Sequence, residues 1–297
     1  MMKKMLLCAL LLTAGARAES PLVLQTDFGT KDGAVAEMKG VAISIDPKLS
    51  IFDLSHENTP FDVWQAAYRL KQAAPYWPAG TVFVSVIDPG VGTERKSVVV
   101  QTKTGHFFVG PDNGTWTFLP EELGIVAVRE IDETRNRRRG SEKSHTFHGR
   151  DVYVYVGARL AAGLLAFADV GPDLGPHVIV LSHERARNEG GALIGSIPYL
   201  DFNFGNVWTN LDGDLFAGLQ PKPGDLFRVR ILHGSKTVFD GELPYARTFG
   251  EVPSGKPLLY LNSLLNVSFA LNQGSFVEAH HIESGADWSV RVEKLHP

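Results

Sequence analysis

Cysteine is almost absent: Cys8 is the only one in 297 residues. A single thiol closes no disulfide within the chain and cannot build a cysteine-ligated zinc site. Positive charge is not in excess either. Lys and Arg number 29 against 33 Asp and Glu, a formal charge of -4, so no overall basic field exists to hold nucleic acid. No Gly-Lys-Ser/Thr phosphate loop occurs, and no Gly-x-Ser-x-Gly nucleophile elbow. What remains is an ordinary globular composition, 44% hydrophobic and 21% charged, which excludes a disordered or fibrous chain. The length suits one large domain or two ordinary ones.

The N-terminus has its own pattern. Lys3 and Lys4 precede the apolar run Met5 to Leu12, and Ala16-Arg17-Ala18 follows. A charged start, a short apolar core and small residues before the cut predict a secretory signal peptide, residues 1–18, cleaved after Ala18. The run is too short to span a bilayer; an N-terminal anchor or a buried first strand is the alternative. Cleavage would remove Lys3, Lys4, Arg17 and Cys8, leaving a more acidic chain with no cysteine, which suits an oxidising compartment. The expected location is exported, periplasmic or secreted, with no membrane attachment after cleavage.

Residues 19–185 alternate strand and helix patterns. Pro21 to Gln25, Leu49 to Leu54 and Thr81 to Ile87 are apolar runs of strand length. Residues 33–45 and Asp62 to Ala74 carry apolar groups at helical spacing, ended by Asp46-Pro47 and Pro75. Ser97 to Gln101 and His106 to Val109 suggest a hairpin, and Val152 to Leu165 a helix. This order predicts a layered α/β domain with a mostly parallel sheet. Glu184 to Gly191 reads as a linker. Residues 186–297 show short strands between turns (Phe227–Ile231, Thr237–Phe239, Leu258–Leu261, Val267–Leu271 and Phe276–His280), predicting an all-β, barrel-like or sandwich domain.

In open α/β sheets, ligands sit beyond the carboxyl ends of the strands. Asp27, Asp32, Asp88 and Asp112 lie near such ends or in the turns after them. Their alternative role is to cap helices and close turns. Gly90-Val91-Gly92 has no third glycine at the spacing of a nucleotide fingerprint and no helix directly after it. His145 and His148 lack further ligands for a metal, and His280-His281, placed on a strand, would point to opposite faces, so no metal is expected. Arg135, Arg137, Arg138 and Arg139 form a basic cluster, either a solvated loop or a site for an anionic partner.

Several motifs carry a resemblance. Thr26-Asp27-Phe28-Gly29, Met38-Lys39-Gly40 and Thr59-Pro60-Phe61-Asp62 come first, then Asp88-Pro89-Gly90-Val91-Gly92-Thr93-Glu94-Arg95, Gly110-Pro111-Asp112-Asn113-Gly114 and Thr146-Phe147-His148-Gly149-Arg150-Asp151. In the second half stand Asp201, Phe204-Gly205-Asn206, Asn262-Ser263 and Asn272-Gln273-Gly274. In this order they resemble the S-adenosyl-L-methionine hydroxide adenosyltransferases, relatives of the fluorinase and chlorinase, over nearly the whole chain after residue 18.

The resemblance implies an N-terminal α/β domain, a C-terminal β-barrel and a homotrimer with active sites between subunits. S-adenosyl-L-methionine would be the substrate, with no cofactor, and water or hydroxide would attack its C5′ to give adenosine and methionine. Asp88, Arg95 and His148 match the family's water-handling triad. Asp27 resembles the carboxylate that grips both ribose hydroxyls, and Phe61 and Phe147 the aromatic walls near the ribose. Asp201 resembles the residue holding the methionine ammonium, with Asp32 assisting; Asn206 the adenine-reading amide; Phe249 the ring stacked on adenine; and Ser263 the methionine carboxylate contact. The halogenating relatives lack an acid at the position of Asp88 and place an arginine where Leu264 stands. A carboxylate beside the nucleophile repels a halide by about 4 kcal/mol at ~4 Å and an effective dielectric of ~20. The other readings are a 5′-halogenase and an adenosine- or S-adenosyl-L-methionine-binding protein without turnover.

Overall fold

A computed structural model describes residues 20–295, so the expected signal peptide, 1–18, lies outside the described residues. The first half builds a six-stranded sheet from β1 (Leu22–Thr26), β2 (Ile51–Ser55), β3 (Val82–Val86), β4 (Ser97–Thr102), β5 (Phe107–Pro111) and β6 (Ile125–Glu130). Their order across the sheet is β2-β1-β3-β5-β4-β6. The pairings β1·β2, β1·β3 and β3·β5 are parallel, while β4 runs antiparallel to both β5 and β6. The expected hairpin is therefore present, and β6 extends the sheet beyond the expected strands.

Every residue of β1 and β3 is buried, as continuous apolar runs with both faces covered require. Alternation along β1 sends Leu22 and Leu24 to one face, packed with Met38 and Ala42 of helix α1 (Ala34–Ile45) and with the helix Val154–Ala161. Val23 goes to the other face, with Leu70 of helix α2 (Val63–Ala73). Asp62 starts α2 by accepting the amide of Gln65 at 2.9 Å, and Pro75 forces its last turn into a short 3-10 segment.

The second half is antiparallel. Strands β7 (Arg187–Glu189), β8 (Ala192–Ile197), β9 (Tyr199–Asp201), β10 (Asn206–Asp212), β11 (Leu226–His233), β12 (Lys236–Pro244), β13 (Pro257–Leu261), β14 (Asn266–Leu271) and β15 (Gly285–Lys294) form two sheets. Their orders are β13-β14-β10-β9 and β12-β11-β15-β8-β7. Leu193, Val207, Phe227, Val229, Phe269 and Val290 fill one core shared by both. The expected barrel is not closed. Pro198, with no amide hydrogen to continue a ladder, lies where the chain passes from β8 in one sheet to β9 in the other.

Two local expectations are corrected. The expected linker Glu184–Gly191 contains edge strand β7, joined to β8 through Gly190 (φ 63°) and Gly191 (φ 89°), the left-handed pair that a tight hairpin turn needs. Phe276–His280 is a helix, not a strand. Ser275 caps it by accepting the amide of Glu278 at 3.0 Å, and the Ser275-x-x-Glu278 spacing is the capping signal. His281 then takes a left-handed conformation at φ 52°, so His280 and His281 are not neighbours on a strand.

The halves are joined through α2. The Trp64 indole donates to the carbonyl of Pro198 at 2.9 Å, and Tyr68 stacks on Tyr199 with ring centroids 4.9 Å apart. No helix among the described residues is long and apolar enough to cross a membrane.

Candidate active site

Asp27 follows β1 directly and Asp88 lies two residues beyond β3, so adjacent parallel strands present both acids at their carboxyl ends. The turn at Asp88 is held from β5: the Asn113 side chain donates to the carbonyl of Ile87 at 2.9 Å. In this way the Gly110-to-Gly114 motif supports the sheet edge at Asp88. Asp112 lies within the same support, its carboxylate accepting the amide of Ile179 at 2.9 Å.

Arg95 grips Asp88 with two nitrogens. Nε donates to Oδ1 at 2.9 Å and Nη2 to Oδ2 at 2.6 Å. The side chains are only 10% and 6% exposed, so this pair is shielded from water. Burial opposes the charge on Arg95, but the Asp88 carboxylate outweighs it and holds the guanidinium above its ordinary range. Tyr153 donates to Asp88 Oδ2 at 3.4 Å. Burial first, and the Asp88 charge second, push that phenol well above its usual range, so it remains a donor. Arg95 Nε also reaches Oδ2 at 3.1 Å, so Oδ2 carries three donors from these side chains, while Oδ1 has one and keeps lone-pair capacity.

A cavity of about 290 Å³ lies in front of Asp88, lined by Asp27, Phe28, Phe61, Phe147 and His148 among others. The Phe28 and Phe147 rings meet edge to face at 5.7 Å, and the Arg150 guanidinium lies 4.9 Å from the Phe147 ring centre. His148 is buried and precedes a π-helical turn, Gly149–Tyr153, a distortion that often occurs at functional sites. Asp151 anchors that turn, wholly buried between Arg138 at 3.1 Å and Arg150 at 2.7 Å. Burial acts against the Asp151 charge, yet the two guanidinium partners hold its carboxyl below the usual range.

Behind the triad is a second, polar cavity of about 250 Å³, lined by Arg95, Ser97, Glu130, Glu133, His145 and His148 among others. Glu133 Oε1 lies 3.5 Å from His148 Nε2, and its other oxygen pairs with Arg137 at 2.7 Å. The His148 ring beside Glu133 holds that carboxyl below its usual range despite partial burial. Glu133, Ser97 and Tyr153 are additions to the expected site. No spacing in the sequence relates residue 133 to 148; only the fold brings them together.

The ribose-side residues separate. Asp27 Oδ2 accepts the amide of Phe61 at 2.8 Å, which leaves Oδ1 uncommitted. Phe61 is 71% exposed and sits at φ 69°, an unusual conformation for a non-glycine residue. Asp32 is exposed, lines neither cavity, and accepts the amide of Ala34 at 2.9 Å at the start of α1.

The remaining expected residues gather elsewhere on the chain. Asp201, Asn206, Phe249 and Ser263 line a cavity of about 800 Å³ built wholly from the second half. Asn206 pairs across the β9·β10 ladder with Asp201 and donates to its Oδ2 at 3.1 Å. Phe249, 40% exposed, leans on Tyr260 with centroids 4.9 Å apart. Leu264 lines two further grooves with Ser263 rather than this cavity. None of the residues of this large cavity lines the cavity at Asp88. Among the described residues no cluster of His, Cys, Asp and Glu could hold a metal. The arginine cluster is mostly spent within the chain, since Arg135 pairs with Asp132, Arg137 with Glu133 and Arg138 with Asp151.

Residues 22–171 match the SAM hydroxide adenosyltransferase N-terminal domain and residues 195–289 the SAM hydroxide adenosyltransferase C-terminal domain. The chain is 49% identical over 197 residues to the (R)-S-adenosyl-L-methionine hydrolase of Methanocaldococcus jannaschii, covering 65% of this chain and 67% of that protein. It is 30% identical over 291 residues to a fluorinase of Actinoplanes sp., covering 89% and 95%. The crystal structure of an uncharacterized conserved protein from Thermotoga maritima superposes with a TM-score of 0.82 at 34% identity, covering 92% of this chain and 99% of that one.

Proposed function

The chain belongs to the SAM hydroxide adenosyltransferase family, and from that premise we propose that it hydrolyses S-adenosyl-L-methionine to adenosine and L-methionine. The observation that carries the reading is the shielded Asp88–Arg95 pair opening on a cavity shared with His148. The sulfonium is already a good leaving group, so no acid is needed to expel it. Water is the weak partner and must be aligned opposite the C5′–S bond. Asp88 Oδ1 holds the water while Arg95 pairs with both carboxylate oxygens and fixes their orientation; Asp88 and His148 are the acceptors for its hydrogens. The C5′–O bond forms as the C5′–S electron pair moves to sulfur, which becomes a neutral thioether, and one proton is released per turnover. A carboxylate at this point also disfavours a halide nucleophile, and the fluorinase is the more distant of the two relatives.

Asp27, with Phe61 and Phe147, is assigned to the ribose. Asn206 and Phe249 are assigned to adenine, and Asp201 and Ser263 to the methionine end. Asp32 is left with its place at the start of α1, assisting only indirectly. Because these groups line two cavities with no residue in common, the working site is proposed to form between the first half of one copy and the second half of another, in a homotrimer. Light scattering should give three times the mass of the chain, whereas a fully active monomer would refute this. The composition of residues 1–18 supports export; N-terminal sequencing of protein recovered from the exported fraction should begin at Glu19.

Incubation of the purified protein with S-adenosyl-L-methionine, followed by chromatography, tests the activity. Adenosine and methionine are expected; a 5′-halo nucleoside, or bound and unchanged substrate, would overturn it. Phe249→Ala should raise KM by about 3–10-fold with kcat little changed, since aromatic stacking contributes about 0.5–1.5 kcal/mol beyond its area.

A further inference from the structure

His148 is the one triad residue that lines both the reaction cavity and the polar cavity behind it. Its two ring nitrogens have different surroundings. Nε2 is 3.5 Å from Glu133 Oε1, a residue of the rear cavity, while Nδ1 is buried with no hydrogen-bond partner. A buried ring nitrogen without a partner is costly unless a ligand or water completes it. A neutral imidazole has one N–H and one lone pair, and the group beside one nitrogen decides which is which. A carboxylate only accepts. It therefore selects the tautomer with hydrogen on Nε2 and leaves the lone pair on Nδ1.

The carboxylate is itself held in place. Arg137 pairs with Glu133 Oε2 at 2.7 Å, and Ser97 Oγ lies 3.4 Å from Oε1. Ser97 in turn accepts from Arg95 Nη1 at 3.2 Å and contacts the Tyr153 hydroxyl at 3.2 Å. A continuous chain of polar contacts thus runs from Asp88 through Arg95 and Ser97 to Glu133 and His148. Tyr153 and His145 also lie beside the ring, with centroids at 6.2 Å and 6.5 Å, and Arg95, Glu130, Asp27 and Asp88 share the cavities that His148 lines; among the described residues Glu133 is the carboxylate paired with Nε2.

We propose that Glu133 is a positioning residue for the hydrolysis, fixing His148 as the Nε2–H tautomer so that Nδ1 accepts the proton of the attacking water. This rests on the reading of Asp88, Arg95 and His148 given above. As the C5′–O bond forms and the C5′–S bond breaks, the water proton passes to Nδ1. The resulting imidazolium is stabilised across Nε2–H by the Glu133 carboxylate. After the products leave, Nδ1 returns the proton to solvent entering the reaction cavity, which His148 also lines, and the Nε2–H ring is restored. Glu133 never touches the substrate. Its loss should therefore appear in turnover and not in binding.

The first test needs no variant. Nitrogen-15 spectra of the histidine-labelled protein, with His148 assigned by comparison with His148→Asn, should show hydrogen on Nε2 of the neutral ring. Hydrogen on Nδ1 would overturn the proposal. In Glu133→Gln the amide N–H₂ can donate to Nε2 and reverse the tautomer. Its kcat should fall by about 10²-fold with KM unchanged, the loss expected of a misdirected general base. Glu133→Asp, which keeps the charge on a shorter arm, should retain the Nε2–H signature and most of kcat. A Glu133→Gln enzyme within threefold of wild-type kcat would sink the proposal. Failure of the underlying reading looks different: His148→Asn would then retain full turnover, or the wild-type protein would release no adenosine.

Discussion

Asp88→Asn is expected to lower kcat for adenosine formation by about 10²–10⁴-fold, the range for a lost proton acceptor at a reacting group. Nucleoside affinity should stay within about threefold, because binding and chemistry here use different side chains. Asparagine keeps the shape of Asp88 and one acceptor oxygen for Arg95 Nε. It removes the charge that offsets the Arg95 guanidinium, in a pair whose side chains are 10% and 6% exposed. Breaking such a buried pair by removing one partner costs about 3–5 kcal/mol of stability. Alanine would add a void to that cost, so asparagine is the better probe. Thermal unfolding and adenosine titration of the variant separate lost folding from lost chemistry. Wild-type turnover in a folded Asp88→Asn protein would remove Asp88 from the mechanism.

Gly110→Ala should be among the most damaging single-methyl changes in the first half. A Cβ at Gly110 would lie 2.3 Å from the backbone oxygen of Ser85 and 3.1 Å from the Trp116 ring. Neither can step aside, since Ser85 is in the central strand β3 and Trp116 is fully buried. Overpacking of this kind costs about 3 kcal/mol at the upper end of its usual range. For a chain of this size that lowers Tm by roughly 6–12 °C. The turn directly after the displaced strand carries Asn113, whose bond to the Ile87 carbonyl supports Asp88, so turnover should fall as well. Gly40→Ala is the control. It lies in α1 with nothing within 4 Å of the added carbon, and alanine there favours the helix by about 1 kcal/mol. Calorimetry should move the two variants in opposite directions; an unchanged Tm for Gly110→Ala would show that β3 and β5 can separate freely.

These two positions mark how far the sequence can be read. Asp88 was legible because an apolar run ends beside it, and in a parallel sheet chain direction alone puts such a residue at the ligand edge. Gly110 was legible as a motif glycine but not for its cause, which is a backbone approach between strands that do not follow one another in the chain. The capping serine of Phe276–His280 and the Gly190-Gly191 turn were written in the sequence as local signals. The first reads as a strand because apolar periodicity over a few residues does not distinguish helix from strand, and the second as a linker because Glu184–Gly191 is polar and glycine-containing.

The scarcity of cysteine and of excess basic charge had already removed disulfide scaffolds, thiolate metal sites and nucleic-acid binding, since those depend on residue type alone. Strand runs and helix caps are likewise local properties, carried by neighbouring residues, whereas the candidate triad Asp88, Arg95 and His148 came from the family resemblance of separate motifs. The separation of the candidate residues between a cavity at Asp88 and a second one at Asp201 was decided by tertiary structure. So was the seat of Glu133 against His148. Contacts between residues distant in the chain depend on how sheets and helices pack, and the spacing of residues along one chain does not encode them.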